Sequence, residues 1–191
     1  MSASSKFPVL ETERLILREL VPTDAQSFFE IHSDRQAMRW TGNERITTPD
    51  QAKDLMKAFA RWRRLPNPGT HWAIQRKIGA EMIGGCGLFR WDTGNQSCQA
   101  GFGLKRSAWG QGYMREALAA VVTWGWGSMN LNRVGAEVHP DNRLPIKTLV
   151  ALGFHRDGRR RQWGYWDGEH HDLLEYSLLR SDVSRQVPGQ D

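Results

Sequence analysis

The sequence Trp-Gly-Gln-Gly-Tyr-Met-Arg-Glu-Ala-Leu occupies residues 109–118, and the rest of the chain is organised around it. It follows an extended run, residues 99–104, and precedes a long helical pattern. Gly110 and Gly112 have no Cβ, so the backbone N–H groups beside them can turn towards a ligand. The first turn of a helix attracts anions. The stretch therefore predicts a strand-to-helix junction that holds a phosphate group.

The two glycines on their own fit either a phosphate cradle or an ordinary turn. A Walker A loop needs the pattern G-x-x-x-x-G-K-[ST], which this stretch does not have. A dinucleotide-binding turn needs a third glycine and an acidic residue about 20 positions later, and these are missing too. A phosphate group at this position would therefore bind in a shorter anion cradle.

Length and composition predict a single domain. The chain has 191 residues, of which 39% are hydrophobic and 25% are charged, enough for one well-packed α/β domain. We expect this domain to span residues 1–180 and a polar C-terminal tail to cover residues 181–191. Nine tryptophans are an unusual load, and several should line a groove because each indole N–H needs a partner.

The formal net charge of +5 favours anionic ligands, such as a phosphorylated cofactor, nucleic acid or the ribosome surface. The densest basic run joins Arg156 to residues 159–161 around Asp157 and Gly158. Because Asp-Gly is a turn-forming pair, we expect this run to be an exposed hairpin tip. Direct binding of nucleic acid is not expected.

Several classes of protein are disfavoured by what the sequence contains. Residues 1–6 are small and polar, and no apolar run approaches the roughly 18 residues of a membrane span. Cys86 and Cys98 cannot form a disulfide framework, so a reducing cytoplasm and buried thiols are expected. His170, His171 and Asp172 are neighbours on a predicted strand and point to alternate faces, so no metal site is expected.

Periodicity and turn residues predict a mixed α/β fold, with a mostly antiparallel sheet of six to seven strands and about four helices. Thr23 with Gln26 and Thr48 with Gln51 form patterns that predict helix N-termini, and residues 33–45 read as a loop. The predicted strands are residues 13–20, 71–77, 82–91, 98–104, 133–139, 154–160 and 172–179. The predicted helices begin near residues 24, 49, 113 and 142.

In this order the chain resembles the GNAT acetyltransferases, and within them the branch that acetylates N-terminal amines of ribosomal proteins. The matching segments are residues 10–18, 37–40, 83–88, 109–118, Asn142, residues 152–154, and residues 167–168 with Asp172. The resemblance covers nearly the whole chain. It implies that two splayed strands form a cleft for acetyl-CoA.

The resemblance also assigns the cofactor-binding residues. Backbone N–H groups after the two glycines would hold the CoA pyrophosphate, and the pantetheine arm would lie between residues 102–104 and 133–139 as a short extra strand. Asn142 matches a residue that binds this arm, although an asparagine there also fits a helix N-cap. The implied set is Phe102, Gly103, Leu104, Trp109, Gly110, Gln111, Gly112, Tyr113, Met114 and Asn142.

The sequence departs from the family pattern at the expected acid and base positions. Gln99 stands where the branch usually has a glutamate, Leu149 where many relatives have a tyrosine, and Pro145 where this branch often has a serine. Glu137 and His139 are the best alternative catalytic residues, because they lie two apart on one strand face near the implied cleft. They also fit a solvated strand residue and a turn contact. Tyr165 and Asp172 are weaker candidates.

The acceptor is an amine that must be neutral to attack the thioester. A peptide N-terminus or a neutral small-molecule amine is favoured over a polyamine or an aminoglycoside, because residues 33–45 and the surroundings of Trp163 carry no dense acidic cluster. A module that binds acyl-CoA or the ribosome without catalysis is the competing interpretation. The sequence leaves open whether the protein is a homodimer.

Overall fold

The computed structural model describes residues 7–62 and 68–184. Eight strands form one sheet within these residues, and the spatial order of the strands is β1-β2-β3-β4-β5-β6-β8-β7. The strands are β1 (Leu10–Glu11), β2 (Leu15–Arg18), β3 (Thr70–Arg76), β4 (Met82–Asp92), β5 (Ser97–Leu104), β6 (Arg133–Val138), β7 (His155–Trp166) and β8 (Glu169–Leu179). The helices are α1 (Ala25–Ser33), α2 (Arg35–Met38), α3 (Pro49–Trp62), α4 (Tyr113–Ser128), α5 (Arg143–Ala151) and α6 (Arg180–Ser184). This confirms the predicted mixed α/β fold, with more strands than expected.

The sheet opens between β5 and β6. Every neighbouring pair is antiparallel except β5 and β6, which are parallel and joined through the α4 crossover. Their pairing ends at Gln99 and Gly135. Beyond that point β5 stays with β4 as far as Leu104, while β6 stays with β8 as far as Val138. A gap therefore opens in the middle of the sheet.

The two faces of the sheet carry separate cores. Helix α4 packs on one face, where Trp72, Leu118 and Val121 are fully buried. Helices α1 and α3 cover β3 and β4 on the other face, where Phe28 and Met56 pack together. Full burial of one such side chain contributes about 1.5–3 kcal/mol to folding. No helix within the described ranges is long and apolar enough to cross a membrane.

The predicted hairpin tip at Asp157 and Gly158 is wrong. The basic run lies within β7, which is the edge strand, and the hairpin turns instead between Trp166 and Glu169. Cross-strand ion pairs explain the difference, since they hold the run in extended conformation against β8 and β6. These pairs are Arg159 with Asp172, Arg160 with Glu175, and Arg133 with Asp157.

Helix starts follow the predicted capping only in part. Thr48 and Gln51 exchange the expected hydrogen bonds at the start of α3, at 3.1 and 3.4 Å. The Thr23 pattern does not form, because Asp24 accepts from the Val21 N–H and is buried against Arg18. Asp34 caps α2, a short helix inside the predicted loop.

The C-terminal tail begins differently from the sequence prediction. Residues 180–184 form α6, and Asp182 accepts a hydrogen bond from the Leu179 N–H at 2.9 Å. Residues 185–191 of the predicted tail, the polar residues 1–6 and part of the predicted turn at 66–69 lie outside the described residues.

Two glycines of α4 give a matched test of how closely this helix packs on β4. A Cβ at Gly125 would lie 2.8 Å from Leu88 Cδ1 and 2.9 Å from Leu131 Cδ1, whereas one at Gly127 would meet no atom within 4 Å. Gly127→Ala should raise the free energy of unfolding by up to about 1 kcal/mol through helix propensity. Gly125→Ala should lower it by about 1–3 kcal/mol through overpacking. Urea unfolding measures both, and equal stabilisation by the two variants would refute the close contact.

Candidate active site

The turn that leads into α4, residues 109–112, is referred to below as the glycine loop. Gly110 and Gly112 have φ angles of 72° and 78°, in the left-handed region that favours glycine. Gly112 is the N-cap of α4 and is exposed to solvent. The first backbone N–H groups of α4, from Tyr113 onward, have no acceptor within the helix. The loop therefore presents a set of N–H donors and the positive end of the α4 dipole to an approaching anion.

One edge of β5 faces the gap in the sheet. The Lys105 N–H donates to the Ile83 carbonyl of β4 at 2.9 Å, and in an antiparallel ladder every second residue bonds to the same neighbour. The N–H and C=O of Gly103 therefore point towards β4, whereas the N–H and C=O of Phe102 and of Leu104 point into the gap. The Trp109 indole N–H donates to the Leu104 carbonyl at 2.8 Å. The Phe102 N–H is therefore available to a group in the gap, whereas the Gly103 N–H is not.

The start of α5 borders the other side of the gap. Asn142 occupies the N-cap position, yet its side chain makes no capping hydrogen bond. The Asn142 side chain therefore does not act as the helix cap, which was the alternative role that the sequence allowed. Leu149 is completely buried in the core and Pro145 lies in the first turn of α5. Neither residue can exchange a proton.

Glu137 lies on the face of β6 and β8 opposite α4, which we call the open face. It lies directly across from Glu175 on β8. The Arg160 guanidinium lies 3.6 Å from the Glu137 carboxylate and 2.5 Å from the Glu175 carboxylate. Two carboxylates and one guanidinium leave a net charge of −1, which attracts an ammonium group. Gln99 lies on the same face with its amide against Gly135, one residue pair before the gap.

His139 follows the end of β6 and is only 7% exposed. Its Nδ1 accepts the Asp141 N–H at 3.1 Å, which assigns the neutral tautomer with hydrogen on Nε2. Burial, together with the charges of His171 and Arg39, lowers the pKa of His139 despite the opposing effect of Asp141. The ring is therefore neutral at pH 7, with its basic nitrogen already engaged. In this tautomer His139 can donate a hydrogen bond through Nε2–H.

Trp40, His139, Trp166 and His171 form an aromatic cluster at the edge of the open face. The rings of Trp40 and His139 stack at 4.0 Å between centroids, and those of Trp166 and His171 at 3.8 Å. The Trp166 indole also donates to the Arg39 carbonyl at 3.3 Å. The cluster joins the segment after α2, the end of β6 and the β7–β8 hairpin. Sequence reasoning missed it, although the tryptophan count had suggested a lined groove.

The two weaker candidates lie away from the gap. Tyr165 is 65% exposed and packs against His170 on the opposite face of the hairpin. Asp172 accepts a hydrogen bond from the Gln162 N–H and pairs with Arg159, which lowers its pKa. Both residues are engaged within the hairpin itself.

Thiol and metal chemistry receive no support from the side chains. Cys86 and Cys98 are buried, and burial raises the pKa of Cys98 to about 12 and that of Cys86 further still. Neither thiol is therefore a nucleophile at neutral pH. Within residues 7–62 and 68–184 there is no group of three or more His, Cys, Asp or Glu residues placed to hold a metal ion.

Comparison with known proteins identifies a family for this chain. The family described as Acetyltransferase (GNAT) domain matches residues 14–155. The chain belongs to this family. It is 31% identical over 174 residues to the Bacillus subtilis protein named uncharacterized N-acetyltransferase YoaA, covering 91% of this chain and 98% of YoaA. This GNAT protein is therefore an acyltransferase of the N-acetyltransferase class.

Solved structures share the fold at lower identity. RimL, a ribosomal alpha-N-protein acetyltransferase in complex with coenzyme A, has a TM-score of 0.80 at 18% identity, over 90% of this chain and 98% of RimL. A spermidine N-acetyltransferase from Vibrio cholerae, in complex with CoA and spermine, has a TM-score of 0.78 at 17% identity, over 91% of this chain and 99% of that protein. The fold is thus shared by enzymes with different acceptors.

The aromatic cluster of this GNAT protein can be tested through Gly164, which leaves room for the Trp166 ring. A Cβ at Gly164 would lie 2.2 Å from Trp166 Cζ3, whereas one at Gly158 of the same strand would meet only Glu175 Oε2, at 3.8 Å. Gly164→Ala should displace Trp166 from His171 and cost about 1–3 kcal/mol of stability. Near-ultraviolet circular dichroism should change in this variant and not in Gly158→Ala. An unchanged spectrum for Gly164→Ala would mean that the stacked arrangement does not exist in solution.

Proposed function

We propose that this protein transfers the acetyl group of acetyl-CoA to a primary amine, the N-terminal amine of a protein being the preferred acceptor. The observation that carries the proposal is the gap that opens after Gln99 and Gly135 and ends at the glycine loop. A strand-like pantetheine arm fits the exposed edge of β5, and a pyrophosphate fits the N-terminus of α4. The proposed cofactor-binding residues are Phe102, Gly103, Leu104, Trp109, Gly110, Gln111, Gly112, Tyr113, Met114 and Asn142.

Backbone groups carry most of the cofactor binding in this proposal. The N–H groups of the glycine loop and the first turn of α4 bind the pyrophosphate, to which the helix dipole adds about 0.3–1 kcal/mol. The Phe102 N–H faces the gap and stabilises the oxyanion that forms on the thioester carbonyl. Gly103 contributes open space above the strand, since a Cβ there would meet no atom within 4 Å.

The reaction requires little acid or base assistance. At an α-amino pKa of about 8, roughly a tenth of an N-terminal amine is already neutral at pH 7. The nitrogen attacks the thioester carbonyl carbon, the carbon–sulfur bond breaks, and the thiolate leaves and takes up a proton. Glu137 accepts the proton that the amine loses, directly or through water. His139 Nε2–H is the candidate donor near the leaving sulfur.

The open face favours a peptide over a polycation. Its two carboxylates, Glu137 and Glu175, share Arg160, so the net charge suits one ammonium group rather than several. Aromatic side chains beside them, Trp40 and Trp163, offer apolar surface for the residues that follow an N-terminus. A protein named putative ribosomal N-acetyltransferase YdaF is 24% identical to this chain. Ribosomal proteins are therefore the first acceptors to test.

The proposal is tested by release of free CoA from acetyl-CoA in the presence of an acceptor panel. Peptides that match ribosomal protein N-termini should be turned over faster than spermidine or an aminoglycoside. Matched peptides with a blocked N-terminus and a free internal lysine are the control, and they should release little CoA. Faster turnover of spermidine would overturn the proposed acceptor class. No CoA release with any amine would leave the interpretation as a non-catalytic CoA-binding module.

Single substitutions separate the two proposed catalytic residues. Glu137→Gln should lower kcat about 10²–10⁴-fold at neutral pH with little change in the KM for acetyl-CoA. Glu175→Gln, which changes the partner across Arg160, should act mainly on the acceptor KM. His139→Gln places an amide N–H near the Nε2 position and should retain more activity than His139→Asn, which preserves only the Nδ1 acceptor. Similar kcat values for the two glutamate variants would rule out Glu137 as the base.

A further inference from the structure

We propose that Arg14 is a positioning residue that holds the glycine loop in the conformation that binds the cofactor. The inference rests on the proposed function, in which CoA binds at this loop. Arg14 lies immediately before β2, far from the loop in sequence. Its side chain nevertheless reaches both the loop and the first turn of α4.

Three contacts of its side chain join Arg14 to this region. Nη1 donates to the Gln111 carbonyl at 3.0 Å across 97 residues of sequence. Nε donates to Glu116 Oε2 at 2.6 Å, and the guanidinium carbon lies 4.6 Å from the centre of the Tyr113 ring. The planar guanidinium fork makes all of these at once, which a lysine ammonium cannot do.

The hydrogen bond to Gln111 determines where the next N–H points. In a trans peptide the carbonyl of one residue and the N–H of the following residue lie on opposite sides of the peptide axis. Arg14 draws the Gln111 carbonyl towards β2 and so directs the Gly112 N–H to the opposite side. Both flanking glycines permit other conformations, so this bond selects one orientation among several. In the proposed function, this orientation presents the Gly112 N–H to the pyrophosphate.

Arg14 also offsets a charge that would repel the pyrophosphate. Glu116 lies in the first turn of α4 and accepts hydrogen bonds from the Arg14 backbone N–H at 2.8 Å and from Thr12 Oγ1 at 2.6 Å. Burial raises its pKa, but these hydrogen bonds and the Arg14 charge outweigh burial, and the net shift is downward. Glu116 is therefore ionised at neutral pH. The guanidinium neutralises this carboxylate where the diphosphate arrives.

The test compares two acetyl donors, acetyl-CoA and S-acetylpantetheine, which lacks the phosphates. Arg14→Ala and Arg14→Lys should each raise the Kd and the KM for acetyl-CoA roughly tenfold, the effect of one hydrogen bond to a charged group. The kcat should stay the same. The kcat/KM for S-acetylpantetheine should not change, because that donor does not reach the loop. Adding Glu116→Gln to Arg14→Ala should restore part of the affinity for acetyl-CoA.

Arg133→Ala is the matched stability control. Arg133 pairs with Asp157 at 2.7 Å and is 37% exposed, against 42% for Arg14, but it lies away from the loop. The melting temperature of Arg133→Ala should fall about as much as that of Arg14→Ala. The affinity of Arg133→Ala for acetyl-CoA should stay at the wild-type value. Equal affinity of wild type and both Arg14 variants for acetyl-CoA would overturn the inference. Absence of acetyl-CoA binding by the wild-type protein would instead overturn the proposed function.

Discussion

The parting of β5 from β6 is the constraint on which the rest of the structure depends. The two strands pair as far as Gln99 and Gly135 and then follow different neighbours. Each strand beyond that point exposes a row of backbone N–H and C=O groups, which are costly to leave unbonded in a buried position. A ligand that hydrogen-bonds like a strand removes this cost. An extended amide-containing chain, such as the pantetheine arm of the proposed cofactor, matches these exposed groups, whereas most small amines do not.

The glycine loop also presents backbone N–H groups without a partner in the helix, and these suit a charged group rather than a neutral amide. Helix α4 must start where β5 ends, because its apolar side chains pack back across the sheet. This places the N-terminus of α4 at the mouth of the gap. The pantetheine and diphosphate sites that we propose thus both depend on one strand–helix connection. In its proposed role, Arg14 holds the conformation of the glycine loop and does not determine where the loop lies.

Local patterns predicted the elements that local chemistry determines. The two glycines before α4 and the Thr48 cap of α3 depend on residues a few positions apart, and both were recognised. The Asp157-Gly158 turn was wrong because ion pairs to other strands outweigh the local turn preference. The aromatic cluster was invisible for a similar reason, since Trp40 and His139 are about a hundred positions apart. Their contact requires the complete strand order β6-β8-β7, which no single segment encodes.

Gln99, Pro145 and Leu149 do not weaken the case for catalysis once the open face is considered. An acid and a base need only lie near the reacting atoms, and in the proposed mechanism these are His139, which follows β6, and Glu137 of β6. Gln99 keeps the shape of the residue it replaces while removing a negative charge beside Gly135. On the open face, Glu137, Glu175 and Arg160 together carry a net charge of −1. This charge suits one ammonium group rather than several, and it is the reason for proposing a peptide N-terminus over a polyamine as the acceptor.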